Sequence, residues 1–198
     1  MKKYMMILFC FAMGLPALAQ KFPPTDKSPM DMAYYPVDYP ILKIQNKITE
    51  PLVCRVIYSR PQRNGRTVFG GLNEWGKVWR LGANEATEIE FFQNVLVGGK
   101  PVPKGRYTLC TMPDSTKWTI IINAETDTWG SFKYDPKKDI VRVDVPVQKT
   151  PETLEDLGMF FTKTGDGFTL AAGWENAMVS IPMKVNPKAA ATKPAKKG

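Results

Sequence analysis

The segment between Ser59 and Thr87 concentrates side chains of the types that bind small ligands. Its candidate ligand-binding residues are three arginines, one tryptophan, one amide and one carboxylate: Arg60, Arg66, Arg80, Trp79, Asn84 and Glu85. Guanidinium groups pair with carboxylates, sulfates and phosphates in a forked geometry, and an indole offers a flat apolar face to a sugar ring. The segment therefore predicts a small acidic or glycan ligand as partner, with the amide and the carboxylate fixing its orientation.

The same residues also allow a structural interpretation. In it, Arg80 forms an ion pair with Glu85. The nearby Gly82, Asn84 and Thr87 then shape a turn between strands. Structural ion pairs often resemble ligand sites, which favours this second interpretation. Exposure distinguishes the two, because binding needs an accessible indole and accessible arginines, whereas a scaffold buries and pairs them.

Catalysis is constrained by the absence of histidine from the sequence. This excludes Ser-His-Asp triads, Cys-His dyads, histidine-based zinc motifs and histidine-ligated haem or copper. The remaining enzymatic alternative is a carboxylate-dependent glycan hydrolase, which needs two carboxylates about 5–10 Å apart. The candidates are Glu85, Glu88, Glu90 and Glu175. No catalytic residue is assigned and no cofactor is predicted, so a non-catalytic binding or structural module is the main hypothesis.

Two other groups of residues have a structural and a functional interpretation. Asp135 and Asp139 lack the ligand density of a calcium loop, so we expect a charged turn and no metal site. The aromatic residues of 117–123 and 127–134 either form a sugar platform or pack in the core, and strand spacing favours the core. These aromatic residues are Trp118, Trp129, Phe132 and Tyr134.

The formal net charge of +8 lies at the two ends of the chain. Lys2 and Lys3 open the sequence, and five lysines without any acid lie between residues 184 and 198. The stretch between these ends is nearly neutral, and the lysine-rich end has neither arginine nor an aromatic residue. The sequence therefore predicts no nucleic-acid partner.

Residues 1–19 combine a positive start, a short apolar run and the small residues Ala17 and Ala19. This pattern predicts a signal peptide cleaved after Ala19, with export to the periplasm or the extracellular space. No other stretch is apolar enough to predict a transmembrane segment. After export, Cys54 and Cys110 either form a disulfide or remain two buried thiols, and the sequence leaves both open. It predicts no particular oligomeric state.

Residues 41–183 show the period-two alternation of half-buried strands, with turn-forming residues between the runs. The clearest runs are residues 52–58, 87–91, 118–122, 140–145, 168–174 and 178–183. They predict an all-β domain, an antiparallel β-sandwich or jelly-roll-like barrel. Residues 151–157 are the one helix candidate, with a turn before a strand as the alternative. The proline-rich residues 20–40 predict an extended arm on the domain surface, and residues 184–198 a disordered lysine- and alanine-rich tail.

Five short motifs carry a family resemblance. They are YSRP at 58–61, GRTVFG at 65–70, WRLGANEAT at 79–87, GGK at 98–100 and PKGRYTL at 103–109. In this order they resemble the secreted bacterial family known as domain of unknown function 2911, over residues 52 to 183. The resemblance implies export and a β-rich fold. The family has no established activity, so the resemblance supplies no catalytic residues.

Overall fold

The computed structural model describes residues 21–186, in which the chain forms nine β-strands, one α-helix and one 3₁₀ turn. The elements in chain order are β1 (Met30–Tyr35), α1 (Tyr39–Ile44), β2 (Cys54–Ser59), β3 (Glu88–Phe91), β4 (Val95–Val97), β5 (Lys100–Val102), β6 (Gly105–Pro113), β7 (Lys117–Asn123), the 3₁₀ turn (Pro136–Lys138), β8 (Asp139–Thr164) and β9 (Gly167–Val185). The predicted signal peptide, residues 1–19, lies outside the described residues, as does the predicted tail from residue 187 onward.

The nine strands form a sheet in the order β1-β2-β3-β6-β7-β8-β9-β4-β5, and every neighbouring pair is antiparallel. The two long strands join its halves. β8 pairs with β7 through its first residues and with β9 from Val147 onward, and this second pairing contains two register shifts, on either side of Leu154. The predicted all-β antiparallel class is confirmed, and closure into a sandwich or a barrel stays a prediction.

Alternation along the strands places one face of the sheet in the core. In β7, Trp118, Ile120 and Ile122 are fully buried and belong to one continuous apolar cluster. Edge strand β1 reaches this cluster, because the Tyr35 ring stacks on Phe168 of β9 with centroids 4.0 Å apart. Burying each large apolar side chain stabilises the fold by about 1.5–3 kcal/mol, so this shared core holds the two halves of the sheet together.

The helix predicted at residues 151–157 is wrong, because β8 runs through this segment. Leu154 pairs with Glu175 of β9, and the amide of Leu157 donates to the carbonyl of Pro61. Leu157 is fully buried in the core. Local helix signals in a short segment are weak, and here pairing and burial on both sides override them.

The segment predicted as an extended arm contains regular structure. Its residues Met30–Tyr35 form the edge strand β1, a position that tolerates nearby prolines. Helix α1 begins at Tyr39, and Pro40 occupies its first turn, where the missing amide has no helical partner to lose. A helix was not expected there. At the other end, β9 continues to Val185, two residues into the predicted tail.

Cys54 and Cys110 are free, buried thiols. They lie in β2 and β6, and strand β3 separates these two strands. Burial raises the pKa of both thiols. For Cys110 the pKa rises to about 12, and the charge of Asp139 makes a smaller contribution to this rise. The structure therefore shows the second alternative left open by the sequence, two thiols packed as small apolar groups.

Candidate functional site

The segment 79–87, which carries Trp79, Arg80, Asn84 and Glu85, will be called the motif loop. Two buried hydroxyls hold its backbone. The Ser59 hydroxyl donates to the carbonyl of Ala83 and accepts from the amide of Ala83 at 2.7 Å. The Thr87 hydroxyl donates to the carbonyl of Leu81 at 2.7 Å. The Ser59 bonds therefore tie the middle of the motif loop to β2, and the Thr87 bond closes the loop on itself.

Three further features fix the shape of the motif loop. Leu81 and Asn84 adopt left-handed backbone conformations, with φ angles of 54° and 57°. Leu81 is fully buried, and the conformation is uncommon for a bulky side chain, so surrounding contacts must hold it. A Cβ atom on Gly82 would lie 3.1 Å from the Ser59 hydroxyl and 3.2 Å from the Thr87 hydroxyl. A side chain at this position would therefore displace both hydroxyls by a few tenths of an ångström.

The Trp79 ring is not exposed, contrary to what the ligand-binding interpretation required. The side chain is only 5% exposed and lies in the core, where its ring stacks on Trp174 with centroids 5.8 Å apart. Its indole nitrogen donates to the carbonyl of Gly82, and its backbone pairs with Thr111 of β6. Trp79 therefore supports the motif loop from beneath and offers no face to a sugar.

The three predicted arginines do not meet in one site. Arg60 forms an ion pair with Asp31 at 3.2 Å. Arg66 is exposed, and its guanidinium donates to backbone carbonyls of its own loop, including that of Arg63 at 2.7 Å. Arg80 is half-buried, and burial lowers its pKa. These contacts assign the first two arginines to local structure.

The ion pair predicted between Arg80 and Glu85 is absent from residues 21–186. The Nε atom of Arg80 is buried without a hydrogen-bond partner in this part of the chain. Glu85 is exposed at the surface instead. The structural interpretation of the motif loop is thus supported by its hydroxyls and its backbone geometry, and not by this ion pair.

Three of the four carboxylates considered for hydrolysis are bound to other groups. Glu88 pairs with Arg106, and Glu90 pairs with Arg55. Glu175 accepts from the backbone amide of Val68.

Among the described residues there is also no group of three acidic or cysteine side chains able to hold a metal ion. Within residues 21–186, no helix is long and apolar enough to cross a membrane.

The motif loop pairs with a second loop, residues 124–138, which will be called the cleft loop. Glu85 and Trp129 form an isolated antiparallel bridge. On one side of it the amide of Ala86 donates to the carbonyl of Thr128, and on the other the amide of Gly130 donates to the carbonyl of Asn84, both at 2.9 Å. The backbone of Trp129 is therefore fixed by hydrogen bonds on either side.

The cleft loop borders a cavity with a volume of about 620 Å³. The cavity is lined by fourteen residues from β6, β7 and the cleft loop: Thr108, Cys110, Asn123, Glu125, Thr126, Asp127, Thr128, Trp129, Gly130, Ser131, Phe132, Lys133, Tyr134 and Lys138. Trp129 is 62% exposed and Phe132 is 83% exposed. Exposed aromatic rings of this size beside polar groups are typical of ligand clefts.

The acidic side chains of the cleft have basic partners. Glu125 pairs with Lys138, and Asp127 pairs with Arg106 at 2.5 Å. A hydrogen bond from the Thr126 hydroxyl lowers the pKa of Asp127, and Arg106 lowers it further. The carboxyl of Asp127 therefore remains ionised at neutral pH, which is unsuitable for a general acid.

A hydrogen-bond network holds Tyr134 at the cleft wall. The Tyr134 hydroxyl donates to Asp139 and accepts from Arg142, both at 2.6 Å. The amide of Asn123 also donates to Asp139, at 2.8 Å. Burial, followed by the hydrogen bond to Asp139, raises the pKa of Tyr134 to about 12. Asp135 and Asp139 thus belong to a charged turn, where Asp135 accepts from the backbone amide of Lys137.

The aromatic residues of 117–123 and 127–134 were predicted either to form a sugar platform or to pack in the core, with the core favoured. Trp118 is indeed fully buried, whereas Trp129 and Phe132 are exposed on the cleft loop. A local signal separates them, since Trp118 lies in an alternating run and Trp129 lies between Asp127 and Gly130, which both have positive φ angles. The sequence signal that could have indicated this exposure is the pair of turn-forming residues, Asp127 and Gly130, on either side of Trp129.

The fold and the motif loop can now be set beside known proteins. No curated protein and no solved structure matches the chain. A family model described as protein of unknown function (DUF2911) matches residues 40–183, which is more than half of the chain. This range includes both the motif loop and the cleft loop. The chain belongs to the DUF2911 family of proteins of unknown function.

Proposed function

We propose that this protein is an exported, non-catalytic module that binds a glycan in the cleft beside Trp129. The observation that carries the proposal is the exposure of Trp129, 62%, on a loop whose backbone is fixed on both sides. An exposed tryptophan exposes apolar surface to water, and a rigid anchor lowers the entropy cost of holding a ligand against it.

The polar groups of the cleft support a sugar as ligand. Thr128 brings a hydroxyl to its lining, and the hydroxyls of Thr108 and Ser131, which donate to backbone carbonyls of Glu125 and Val78, can each still accept a hydrogen bond. Hydroxyls both donate and accept hydrogen bonds, which suits a polyhydroxylated ligand whose ring faces are apolar. The acidic groups are already neutralised by Lys138 and Arg106, so the cleft favours an uncharged glycan over a strongly charged one.

An acidic ligand, the other predicted partner, depends on Arg80. Arg60 and Arg66 are engaged by their own surroundings, whereas the Nε atom of Arg80 has no partner within residues 21–186. A guanidinium that has no ion-pair partner can donate hydrogen bonds to a carboxylate or a phosphate. Phosphate and dicarboxylates are therefore included in the ligand screen below.

Hydrolysis is the less supported function. The cleft carboxylate Asp127 has a lowered pKa, and Glu88 beside it is held by Arg106 and by the backbone amide of Asp127. Glu90 and Glu175 are bound outside the cleft. A hydrolase also needs one carboxyl group that stays protonated near neutral pH. We therefore propose binding without turnover.

Export rests on residues 1–19, and amino-terminal sequencing tests it. We expect the protein recovered from the periplasm or the medium of its bacterial host to begin at Gln20. A chain that keeps Met1 and stays in the cytoplasm would contradict this part of the proposal.

Ligand screening tests the binding function. The mature chain is screened by thermal shift against neutral hexasaccharides of glucose, N-acetylglucosamine and xylose, uronic-acid oligomers, phosphate and dicarboxylates. Each glycan that stabilises the chain is then titrated by calorimetry into wild type, Trp129→Ala and Trp75→Ala. Trp75 is a matched control, because it is 45% exposed and stacks on Phe69 outside the cleft.

We expect Trp129→Ala to weaken glycan binding about 30-fold or more, which corresponds to about 2 kcal/mol for an anchoring tryptophan. Trp75→Ala should leave the affinity unchanged. Equal loss in both variants, or stabilisation by no glycan of the panel, would contradict the proposal. Release of new reducing ends from a bound glycan would show turnover and favour the hydrolase.

A further inference from the structure

We propose that Asn84 is a positioning residue that sets the orientation of Trp129 for ligand binding. This inference rests on the proposed glycan-binding function, which it deepens by naming what holds the binding residue in place. Asn84 does not line the cleft, and its effect is exerted through its backbone.

The backbone contact is direct. The carbonyl of Asn84 accepts from the amide of Gly130, the residue that follows Trp129. The left-handed conformation of Asn84, with a φ angle of 57°, sets the direction of that carbonyl. Asparagine and glycine adopt this conformation readily, whereas alanine does so with strain and a β-branched residue with more.

The Asn84 side chain has a separate partner. Its Nδ2 atom donates to Asp26 at 3.1 Å, near the start of the described chain. Backbone conformation and side-chain bond can therefore be removed one at a time. Glycine keeps the conformation and loses the bond, Asp26→Ala loses the bond together with the Asp26 contact to the Ser28 amide, and valine loses both the conformation and the bond.

The motif loop has anchors that do not involve Asn84. The Ser59 and Thr87 hydroxyls bind Ala83 and Leu81, and Trp79 lies in the core beneath them. A change of backbone conformation at Asn84 is thus expected to release the cleft loop while the rest of the motif loop stays folded. This separates a positioning role from a general structural one.

The test compares Asn84→Gly, Asn84→Ala, Asn84→Val and Asp26→Ala with wild type in three measurements. Acrylamide quenching reports Trp129, isolated by subtracting the same variant carrying Trp129→Phe. Amide hydrogen exchange compares Gly130 with Ala83, whose amide is bound by Ser59. Binding is measured with cellohexaose, chitohexaose and maltohexaose as probes.

In Asn84→Val we expect a twofold or larger change in the Trp129 quenching constant and at least tenfold faster exchange at Gly130, with protection of Ala83 retained. Asn84→Ala should show the same changes to a smaller degree. Asn84→Gly and Asp26→Ala should stay within twofold of wild type in all measurements. Any hexasaccharide that wild type binds should bind Asn84→Val at least tenfold more weakly.

Three results would overturn the inference. The first is wild-type quenching and exchange in Asn84→Val. The second is an Asn84→Gly variant as impaired as Asn84→Val, which would assign the effect to the side chain. The third is global unfolding of both Asn84→Val and Asn84→Ala. If Trp129→Ala binds as wild type does, the proposed function fails, whereas the quenching and exchange results still decide whether Asn84 positions Trp129.

Discussion

Replacing Ser59 by alanine should unfold the chain at a clearly lower denaturant concentration. The Ser59 hydroxyl is 1% exposed and binds both backbone groups of Ala83, donating to the carbonyl and accepting from the amide. Alanine fills almost the same volume, so the effect comes from these two hydrogen bonds and not from a cavity. Each buried polar group that loses its partner costs about 1–3 kcal/mol.

The structure favours the lower end of this range, because Ala83 is partly exposed and water can reach it. For two groups at about 1 kcal/mol each, Ser59→Ala should lower the free energy of unfolding by about 2 kcal/mol. The melting temperature should then fall by about 4–8 °C for a chain of this size.

Urea unfolding followed by circular dichroism measures this change, with Ser115→Ala as the control. Ser115 is exposed in the turn between β6 and β7, and its loss should stay within about 0.5 kcal/mol. A loss below about 0.5 kcal/mol for Ser59→Ala would refute the claim that this hydroxyl fastens the motif loop. An unchanged m-value is required for the comparison, because it shows that the unfolded state is the same.

Three further predictions concern stability and ionisation. Arg80→Met should change the free energy of unfolding by less than about 1 kcal/mol or raise it. The reason is that the half-buried guanidinium forms no ion pair within residues 21–186. A loss above about 2 kcal/mol in urea unfolding would contradict this. Ultraviolet titration should show Tyr134 ionising near pH 12 in the folded chain. Because this folded-state pKa exceeds the ordinary value of 10.0, the stability that Tyr134 contributes is complete below pH 10 and is lost as the pH rises towards 12. Tyr134→Phe should remove that alkaline loss, and ionisation near pH 10 would contradict the buried hydrogen bond. Cys54 and Cys110 should react with a thiol reagent only after denaturation, and a native-state disulfide between them, detected by mass, would contradict the structure.

The strands that were predicted best from the sequence have one solvent-exposed face and one buried face. In residues 140–145 and 88–91 the side chains alternate, and both runs lie in strands of the sheet, β8 and β3. Alternation reports which face meets the core, so it survives without knowledge of the partners. Residues 151–157 lack this pattern and carry helix-start signals, and they are extended because Leu154 pairs with Glu175 of β9 and Asp156 pairs with Gln62 on the other side.

The candidate site was harder to predict, because residue type does not determine burial. Trp79, which the ligand-binding interpretation required at the surface, lies in the core, while Trp129, expected at the surface only as an alternative, is exposed. The residues of the motif loop fix its shape and do not form a ligand contact. A hydroxyl that binds its backbone, a closely packed glycine and two left-handed residues are features that a rigid loop needs. What no pattern shows is that this loop pairs with the cleft loop through Glu85, since the two are far apart along the chain.

The most direct test of glycan binding beside Trp129 is a nuclear magnetic resonance titration that follows the indole N–H signals. The chain has five tryptophans, of which Trp79, Trp118 and Trp174 are buried and Trp75 and Trp129 are exposed. On addition of a glycan that stabilises the chain, the Trp129 indole signal should shift progressively while that of Trp75 stays in place. A bound glycan that shifts Trp75 and leaves Trp129 unchanged would contradict the proposed site.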